Sequence, residues 1–220
     1  EHSYRVLDGD VGKEILESGI DFWLKGLTFY DAGCRSFYTK DRPILTPDDL
    51  AGLKIRVMKS PTAVNMIRAM GGSPTPISWG ELYTALQGGV VDGAENNPPS
   101  FYLSHHYEVC KYYCINEHTS VPDVLLISTL IWKQLSQQEK EWLTEAASES
   151  AAYQRILWAE SEKEALKEVE EAGVEIIYPP KEPFIEKVNS LYEEYNMDSV
   201  LKDLIYRIRL QEKSDSTTSL

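Results

Sequence analysis

Residues 52–97 constrain the fold more than any other part of the chain, because their pattern predicts strand, helix, strand, helix, strand. Apolar and polar residues alternate in "LKIRV", as they do in a strand. Ser60 before Pro61 is typical of a helix N-terminus, and Gly71 with Gly72 is typical of a helix C-terminus. Strands joined by helices of this length require right-handed crossovers, so the stretch predicts parallel βαβ units.

The second helix of this stretch is predicted to open with a capping box formed by Ser78 and Glu81. It is predicted to end near Gly88, and a third strand is predicted to start at Val90 and to end at Gly93. The order of elements is therefore that of an open sheet with crossover helices.

Polar or aromatic side chains follow each of the three predicted strands: Arg56, Trp79 and Asn96. Ligands of open parallel sheets bind beyond the carboxyl ends of the strands. A guanidinium presents two parallel donors to a carboxylate, a carboxamide donates without adding charge, and an indole offers an apolar face. Since none of the three is a nucleophile, the pattern predicts a binding site for a small organic anion.

Composition excludes several classes of protein. The chain has 220 residues, 42% of them hydrophobic, and a formal net charge of −13. Nucleic-acid binding requires a positive surface, so it is not expected. The longest apolar stretch, residues 124–132, is far shorter than the roughly 20 residues of a membrane helix, which predicts a soluble protein.

The flanking segments are predominantly helical. The chain opens inside an amphipathic pattern marked by Leu7, Val11, Ile15 and Ile20, which predicts one N-terminal helix. A capping box of Ser136 and Glu139 opens a long helix that is predicted to run to Gly173. Beyond it, "VEIIYPP" predicts a strand, residues 184–195 predict a helix, and the last residues are polar.

Three cysteines, Cys34, Cys110 and Cys114, give an odd count and support no disulfide framework. If residues 110–114 are helical, Cys110 and Cys114 share one helix face near His105 and His106, which leaves a metal site open as an alternative. Buried free thiols are the favoured interpretation, because the spacing matches no standard zinc pattern. No metal or cofactor is predicted.

Four segments together resemble the solute-binding proteins of TRAP transporters, the DctP-like family: "GLKIRV", "PISWGELYTALQGGVVDGAENNPPSFY", "HYEVCKYY" and "EHTSVPDVLLIS". The resemblance runs from the first residues to about Ile208. It implies an α/β, periplasmic-binding-protein-like two-lobe fold with parallel-sheet βαβ units and a long lobe-spanning helix. The family has a substantial N-terminal segment, so the resemblance also implies that the N-terminal part of lobe one is missing here.

The resemblance implies a domain division. Residues 1–33 and 122–161 are expected to be a remnant of lobe one, residues 34–121 and 162–212 are expected to form lobe two, and residues 213–220 are expected to be a disordered tail.

The resemblance also assigns site residues. Arg56 matches the family arginine that holds the substrate carboxylate, Asn96 matches the asparagine that hydrogen-bonds the same group, and Arg35 matches a second cleft arginine. Trp79 takes the place of an aromatic residue against the ligand, and His118 falls at a cleft position in a crossing segment. Each residue taken singly also has a structural interpretation; for Arg35 it is an ion pair with a neighbouring aspartate, Asp31 or Asp41.

Tyr83 is added as a candidate ligand contact through its hydroxyl group.

The predicted function is that of an extracytoplasmic, periplasmic solute-binding protein, a monomer that delivers an organic acid to TRAP membrane permease subunits. A sugar acid such as a uronate is the first candidate ligand and a C4-dicarboxylate the second. Catalysis is not expected, because no nucleophile elbow, P-loop, dinucleotide fingerprint or zinc-protease motif is present. A ligand-sensing domain of a signalling system and an enzyme acting on sugar acids remain as alternatives.

Overall fold

The computed structural model of the chain describes residues 2–213, the last two through their backbone only. The α-helices are His2–Asp8 (α1), Asp10–Glu17 (α2), Pro61–Ala69 (α3), Leu82–Gln87 (α4), Pro98–Leu103 (α5), Thr129–Gln134 (α6), Gln137–Glu171 (α7), Glu182–Tyr195 (α8) and Ser199–Lys213 (α9). The strands are Leu24–Tyr30 (β1), Cys34–Thr39 (β2), Lys54–Val57 (β3), Ser73–Pro76 (β4), Gly93–Asn96 (β5), Tyr112–Ser120 (β6), Asp123–Ser128 (β7) and Glu175–Ile177 (β8). Short 3₁₀ helices cover Ile20–Phe22, Pro47–Leu50, Trp79–Glu81 and His106–Glu108.

The described chain divides into two compact units. Unit 1 contains residues 2–31, 122–157 and 194–213, and unit 2 contains residues 32–121 and 158–193. The 35-residue helix α7 contributes to both units. Such a length is well above the average of about 11–12 residues for a helix.

Unit 1 is built on the antiparallel pair β1–β7 and the helices that flank it. The Gln154 side chain of α7 hydrogen-bonds both the backbone N–H and the carbonyl of Asp31, at 2.9 and 2.8 Å. Arg155 donates to both carboxylate oxygens of Asp8 at 2.7 Å, and Arg207 of α9 pairs with Glu14 of α2. These contacts tie the N-terminal helices and α9 to the same unit.

Unit 2 contains a six-stranded sheet with the order β4-β3-β5-β2-β6-β8. The pairs β3–β4 and β3–β5 are parallel, as the βαβ pattern of residues 52–97 predicts, and the pair β6–β8 is also parallel. Strand β2 is inserted antiparallel between β5 and β6. The start of β2 therefore meets the carboxyl ends of its neighbours at one edge of the sheet.

Both faces of this sheet are buried, and alternate residues of each strand belong to different core clusters. The face that we call the α5 face packs against α4, α5 and the end of α7, and the face that we call the α3 face packs against α3 and α8. Residues of the α5 face include Tyr38, Ala94, Phe101 and Tyr113. Residues of the α3 face include Phe37, Ile55, Val57, Met66 and Phe184.

The prediction for the third strand was wrong in its bounds, since β5 begins at Gly93 rather than ending there. The backbone of Gly93 lies so close to β2 that a Cβ atom at this position would be 2.4 Å from the Tyr38 carbonyl oxygen. The preceding Asp92 accepts from the Lys54 N–H at 2.7 Å, which links the residue before β5 to the start of β3. The valines before it therefore lie outside the ladder, and Val90 is exposed.

Several local predictions are confirmed. The Ser60 side chain caps α3, with Pro61 as the first helical residue. Ser136 and Glu139 form a reciprocal capping box, because each side chain bonds the backbone N–H of the other. Helix α7 ends just before Gly173, whose φ of +90° is the left-handed conformation of a helix stop.

Two further expectations need correction, and a third differs from the observed clustering. The N-terminal pattern forms two helices, α1 and α2, and Ile20 is exposed. Cys110 and Cys114 do not share a helix face, because Cys114 is in β6. Residues 194–212, expected in lobe two, cluster with unit 1 because α9 packs against α1 and α2. The lobe boundaries stay a prediction, and the expected tail, residues 213–220, lies outside the described residues beyond Lys213.

Candidate functional site

Arg56 is a buried arginine on the α5 face, 3% exposed, and is the third residue of β3 rather than lying beyond it. Its Nε donates to the carbonyl of Ile77 at 2.9 Å. Its Nη1 is buried and has no hydrogen-bond partner among the described residues. Burial lowers the pKa of Arg56, and the charge of Arg35 adds to this effect. A buried guanidinium with an unsatisfied donor is costly, and an anionic ligand would satisfy it.

Trp79 lies beside Arg56 and begins the 3₁₀ helix that follows β4. The Arg56 Cζ atom is 5.5 Å from the centre of the indole ring, within the range of a cation–π contact. Trp79 is 43% exposed, so a ligand can reach this residue. Arg56 and Trp79 thus pair a positive group with an accessible apolar plane.

His106 is a buried residue of the same face that sequence reasoning missed as part of this site. It is 1% exposed, its Nδ1 is 2.9 Å from the Tyr38 hydroxyl, and its ring meets the Trp79 ring at 5.1 Å with an angle of 63°. Burial, and then the charge of Arg56, lowers the pKa of His106 to about 4. The adjacent residue, His105, is also a histidine, so the sequence alone did not indicate which of the two is buried beside Trp79.

Lowering the pH from 6.5 to 4 is expected to destabilise the chain through His106. An unfolded histidine takes up its proton near pH 6.5, whereas the folded one does so near 4, so the unfolded state binds more protons in this window. Stability should therefore fall as the pH falls. The measurement is the melting temperature from pH 7 to pH 4, which should depend less on pH in a His106→Gln variant. The exposed neighbour supplies the control, His105→Gln, and an unchanged slope in His106→Gln would contradict the assignment.

Arg35 of β2 is held by Glu95 of β5 on the α3 face. Its Nη2 donates to Glu95 Oε1 at 2.9 Å and to the Glu95 carbonyl at 2.8 Å, and its Nε donates to Glu95 Oε2. The predicted alternatives, Asp31 and Asp41, are thus not the carboxylates that pair with Arg35. Burial alone would raise the pKa of Glu95, but the nearby His118 and Arg35 lower it below its usual value. This bidentate pair neutralises the Arg35 guanidinium.

Asn96 joins this network at the end of β5. Its Oδ1 accepts from Arg35 Nη1 and from the Asn97 N–H, each at 2.9 Å, and its carbonyl accepts from the Tyr113 hydroxyl at 2.8 Å. The predicted contact with a ligand carboxylate therefore requires donation by the amide nitrogen. That role stays a prediction.

His118 lies next to the Arg35–Glu95 ion pair. Its ring stacks on Phe37 at 4.2 Å, and its Nδ1 is 2.9 Å from Asn116 Oδ1. Its Nε2 is 3.8 Å from Glu95 Oε2, which is too long for a hydrogen bond. The side chain is fully buried, so the structure places His118 within the packed α3 face.

Tyr83 is engaged elsewhere, since its hydroxyl donates to Glu108 Oε2 at 2.7 Å and this bond raises the pKa of Tyr83. The structure thus brings Arg56 and Trp79 together, groups Arg35 with Asn96 and His118, and leaves Tyr83 bonded to a carboxylate. The ligand-binding roles of all six remain predictions.

A cavity of about 250 Å³ opens beside Arg35 and Glu95 within unit 2. It is bounded by the start of α3 and the end of β6, and its remaining lining residues are Met58, Ser60, Thr62, Ala63, Met66, Thr119 and Val121. The cavity combines one neutralised ion pair, three hydroxyl groups and apolar side chains.

The cysteines are buried to different degrees. Cys110 and Cys114 are buried free thiols, and burial raises their pKa values to about 12 and about 11.

Within residues 2–213 no group of three His, Cys, Asp or Glu side chains is arranged to hold a metal ion. The helices of this same part of the chain include none with the length and apolar character needed to cross a membrane.

The chain is similar to several known proteins. The family model of DctP, "Bacterial extracellular solute-binding protein, family 7", matches residues 1–198. A solute-binding protein of Chromohalobacter salexigens is 38% identical over 207 residues, which are 91% of this chain. The chain spans 62% of the length of that curated relative.

Two solved structures of TRAP periplasmic solute-binding proteins are also similar. The protein from Xanthobacter autotrophicus Py2, with bound β-D-galacturonate, has a TM-score of 0.91 and 44% identity, and the match covers 95% of this chain and 70% of that one. The protein from Chromohalobacter salexigens, with bound D-glucuronate, has a TM-score of 0.93 and 37% identity, with coverage of 96% and 70%. The predicted fold class, the α/β two-lobe fold of periplasmic binding proteins, is confirmed by these matches. The chain belongs to the DctP family of bacterial extracellular solute-binding proteins.

Proposed function

We propose that this chain captures an organic acid through Arg56 and delivers it to a TRAP-type membrane permease. The observation that carries the proposal is the buried Arg56 guanidinium with its unsatisfied Nη1, set beside the accessible ring of Trp79. A carboxylate would supply the missing hydrogen-bond partner and the missing negative charge together. Family membership supports the transport role.

The ligand class that we favour is a sugar acid, and specifically a uronate. Two similar proteins of the family hold galacturonate and glucuronate. A sugar ring has an apolar face that suits an indole, and its hydroxyl groups suit a site with polar side chains. A C4-dicarboxylate is the second candidate, because it offers the same carboxylate to Arg56 but no ring to Trp79.

A thermal-shift screen tests the proposal. Galacturonate, glucuronate, succinate, galactose and a cationic amino sugar are each added to the chain, and the melting temperature is measured. A ligand at 100 times its Kd should stabilise the fold by about 2.7 kcal/mol. We expect the uronates to raise the melting temperature most and galactose to leave it unchanged. Stabilisation by the neutral or cationic compounds alone would contradict the role of Arg56.

The similar proteins are solute-binding proteins rather than enzymes. We infer that this chain likewise binds its ligand without turnover, so galacturonate recovered after incubation should be chemically unchanged. A sensing role is the alternative, and it requires a partner that transmits a signal.

The periplasm is the proposed compartment, in keeping with the location of the similar proteins. The proposed partners are the ligand and the TRAP permease, and the proposed oligomeric state is a monomer.

A further inference from the structure

The described part of unit 2 has three fully charged side chains in its buried set: Arg35, Arg56 and Glu95. Arg35 and Glu95 form a bidentate ion pair, and their charges cancel. Arg56 pairs with a backbone carbonyl, and its positive charge is uncompensated. These three buried side chains of unit 2 therefore sum to a charge of about +1 before a ligand binds.

One ligand carboxylate would bring this buried charge to zero. A second carboxylate would add a negative charge for which the buried set has no free cation, because Glu95 already occupies Arg35. Burying an unpaired charge is strongly unfavourable. A site that penalises the second carboxylate of a diacid can favour a monoacid without any additional contact to the monoacid.

We propose that Glu95 is a specificity-determining residue, which neutralises Arg35 and so makes the site select acids with one carboxylate over acids with two. The inference rests on the proposed function, since it assumes that Arg56 binds a carboxylate. Glu95 acts through Arg35 and is a positioning residue for it. The residue would thus separate sugar monoacids from diacids on the basis of charge.

Galacturonate and galactarate test the proposal, because they share a six-carbon polyol skeleton and differ by one carboxylate. Kd values are measured by calorimetry at pH 8, above the ordinary imidazole pKa of about 6.5. We expect galacturonate to bind at least tenfold more tightly to the unsubstituted chain. Glu95→Gln raises the buried charge to +2 and should shift the ratio of the two Kd values at least tenfold towards galactarate.

Two further variants separate charge from structure. Arg35→Gln combined with Glu95→Gln returns the buried charge to +1, so the preference for galacturonate should reappear even though both acids bind more weakly. Glu171→Gln removes one charge from an exposed i,i+4 pair with Lys167 in the same unit and should leave the ratio unchanged. A purely structural defect in Glu95→Gln would not be reversed by removing Arg35 as well.

A measurement on the unsubstituted chain covers the case in which Glu95→Gln fails to fold. If the site accepts one negative charge, galactarate should bind with uptake of a proton, and its affinity should rise up to tenfold for each unit of pH decrease from 8 to 5. Galacturonate, measured alongside, corrects for proton uptake by the protein itself. No detectable galactarate binding also supports the proposal.

Equal affinities for the two acids at pH 8, without proton uptake, would overturn the role of Glu95 and leave the proposed function intact. Absence of binding by either acid from pH 5 to pH 8 would instead overturn the proposed function itself.

Discussion

Replacing Arg56 with methionine is expected to weaken binding of a sugar acid by about 2–5 kcal/mol, or roughly 30- to 5,000-fold in Kd. The loss should be large because the guanidinium is a buried cation that pairs, among the described residues, with a backbone carbonyl, and its removal leaves the ligand carboxylate unpaired. Calorimetric titration with galacturonate measures the change. Arg68→Met is the matched control, since Arg68 is an exposed arginine on α3 of the same unit.

Arg56→Met should weaken binding without reducing the stability of the fold. A buried charge with an unsatisfied donor destabilises the free protein, so Arg56→Met should leave the melting temperature unchanged or raise it. Loss of the Nε bond to Ile77 opposes this gain but is worth only about 1 kcal/mol. A variant that loses both stability and binding would show that Arg56 holds the fold together, and the functional assignment would then fail.

Arg56→Lys distinguishes charge from geometry at this position. Lysine retains the positive charge but cannot present two parallel donors to a carboxylate. We therefore expect an affinity between those of the unsubstituted chain and Arg56→Met. An affinity equal to that of the unsubstituted chain would mean that charge alone attracts the ligand.

The prediction of unit 2 from sequence succeeded where contacts are local. The Ser60 cap, the Gly173 helix stop and the parallel β3–β4 pair are specified by residues within one element or between consecutive elements. Side-chain periodicity and capping chemistry act over three to four residues, so they can be recognised without tertiary structure.

The partners of Arg35 could not be found in this way. Arg35 and Glu95 are 60 residues apart and meet because β2 inserts antiparallel beside β5, a pairing that no local pattern specifies. His106 was missed for a similar reason, since its burial depends on Tyr38 and Trp79 from other elements. The sequence thus predicted the residue types of the site better than their pairing.

The two arginines also differ in a way that sequence alone does not show. Alternation along the strands places Arg56 on the α5 face, with Ala94 and Tyr38, and places Arg35 on the α3 face, with Phe37. The environments of the two side chains differ. One donor of Arg56, on the α5 face, has no hydrogen-bond partner among the described residues, whereas Arg35 pairs with a carboxylate on the α3 face. The two arginines therefore have different roles: Arg56 keeps its positive charge for a ligand, and Glu95 neutralises the charge of Arg35.

Replacing Phe101 with alanine is expected to destabilise the chain by about 3–5 kcal/mol. Phe101 is fully buried in α5, and its ring lies 4.7 Å from that of Tyr38 and 4.8 Å from that of Tyr113. Its loss would leave a cavity under the strands that carry Arg56 and Asn96. Urea denaturation monitored by circular dichroism measures the change, and Leu103→Ala is the control.

The control is informative because Leu103 is a large apolar residue of the same helix that is 70% exposed. Its substitution should change the free energy of unfolding by no more than about 0.5 kcal/mol. Tyr113 also donates to the Asn96 carbonyl, so the cavity in Phe101→Ala should loosen the end of β5 and weaken sugar-acid binding as well. Arg56→Met and Phe101→Ala would then have opposite signatures: the first loses binding with the fold intact, whereas the second loses stability first. If Phe101→Ala were as stable as Leu103→Ala, the α5 face could not be the rigid support that holds Arg56 in place.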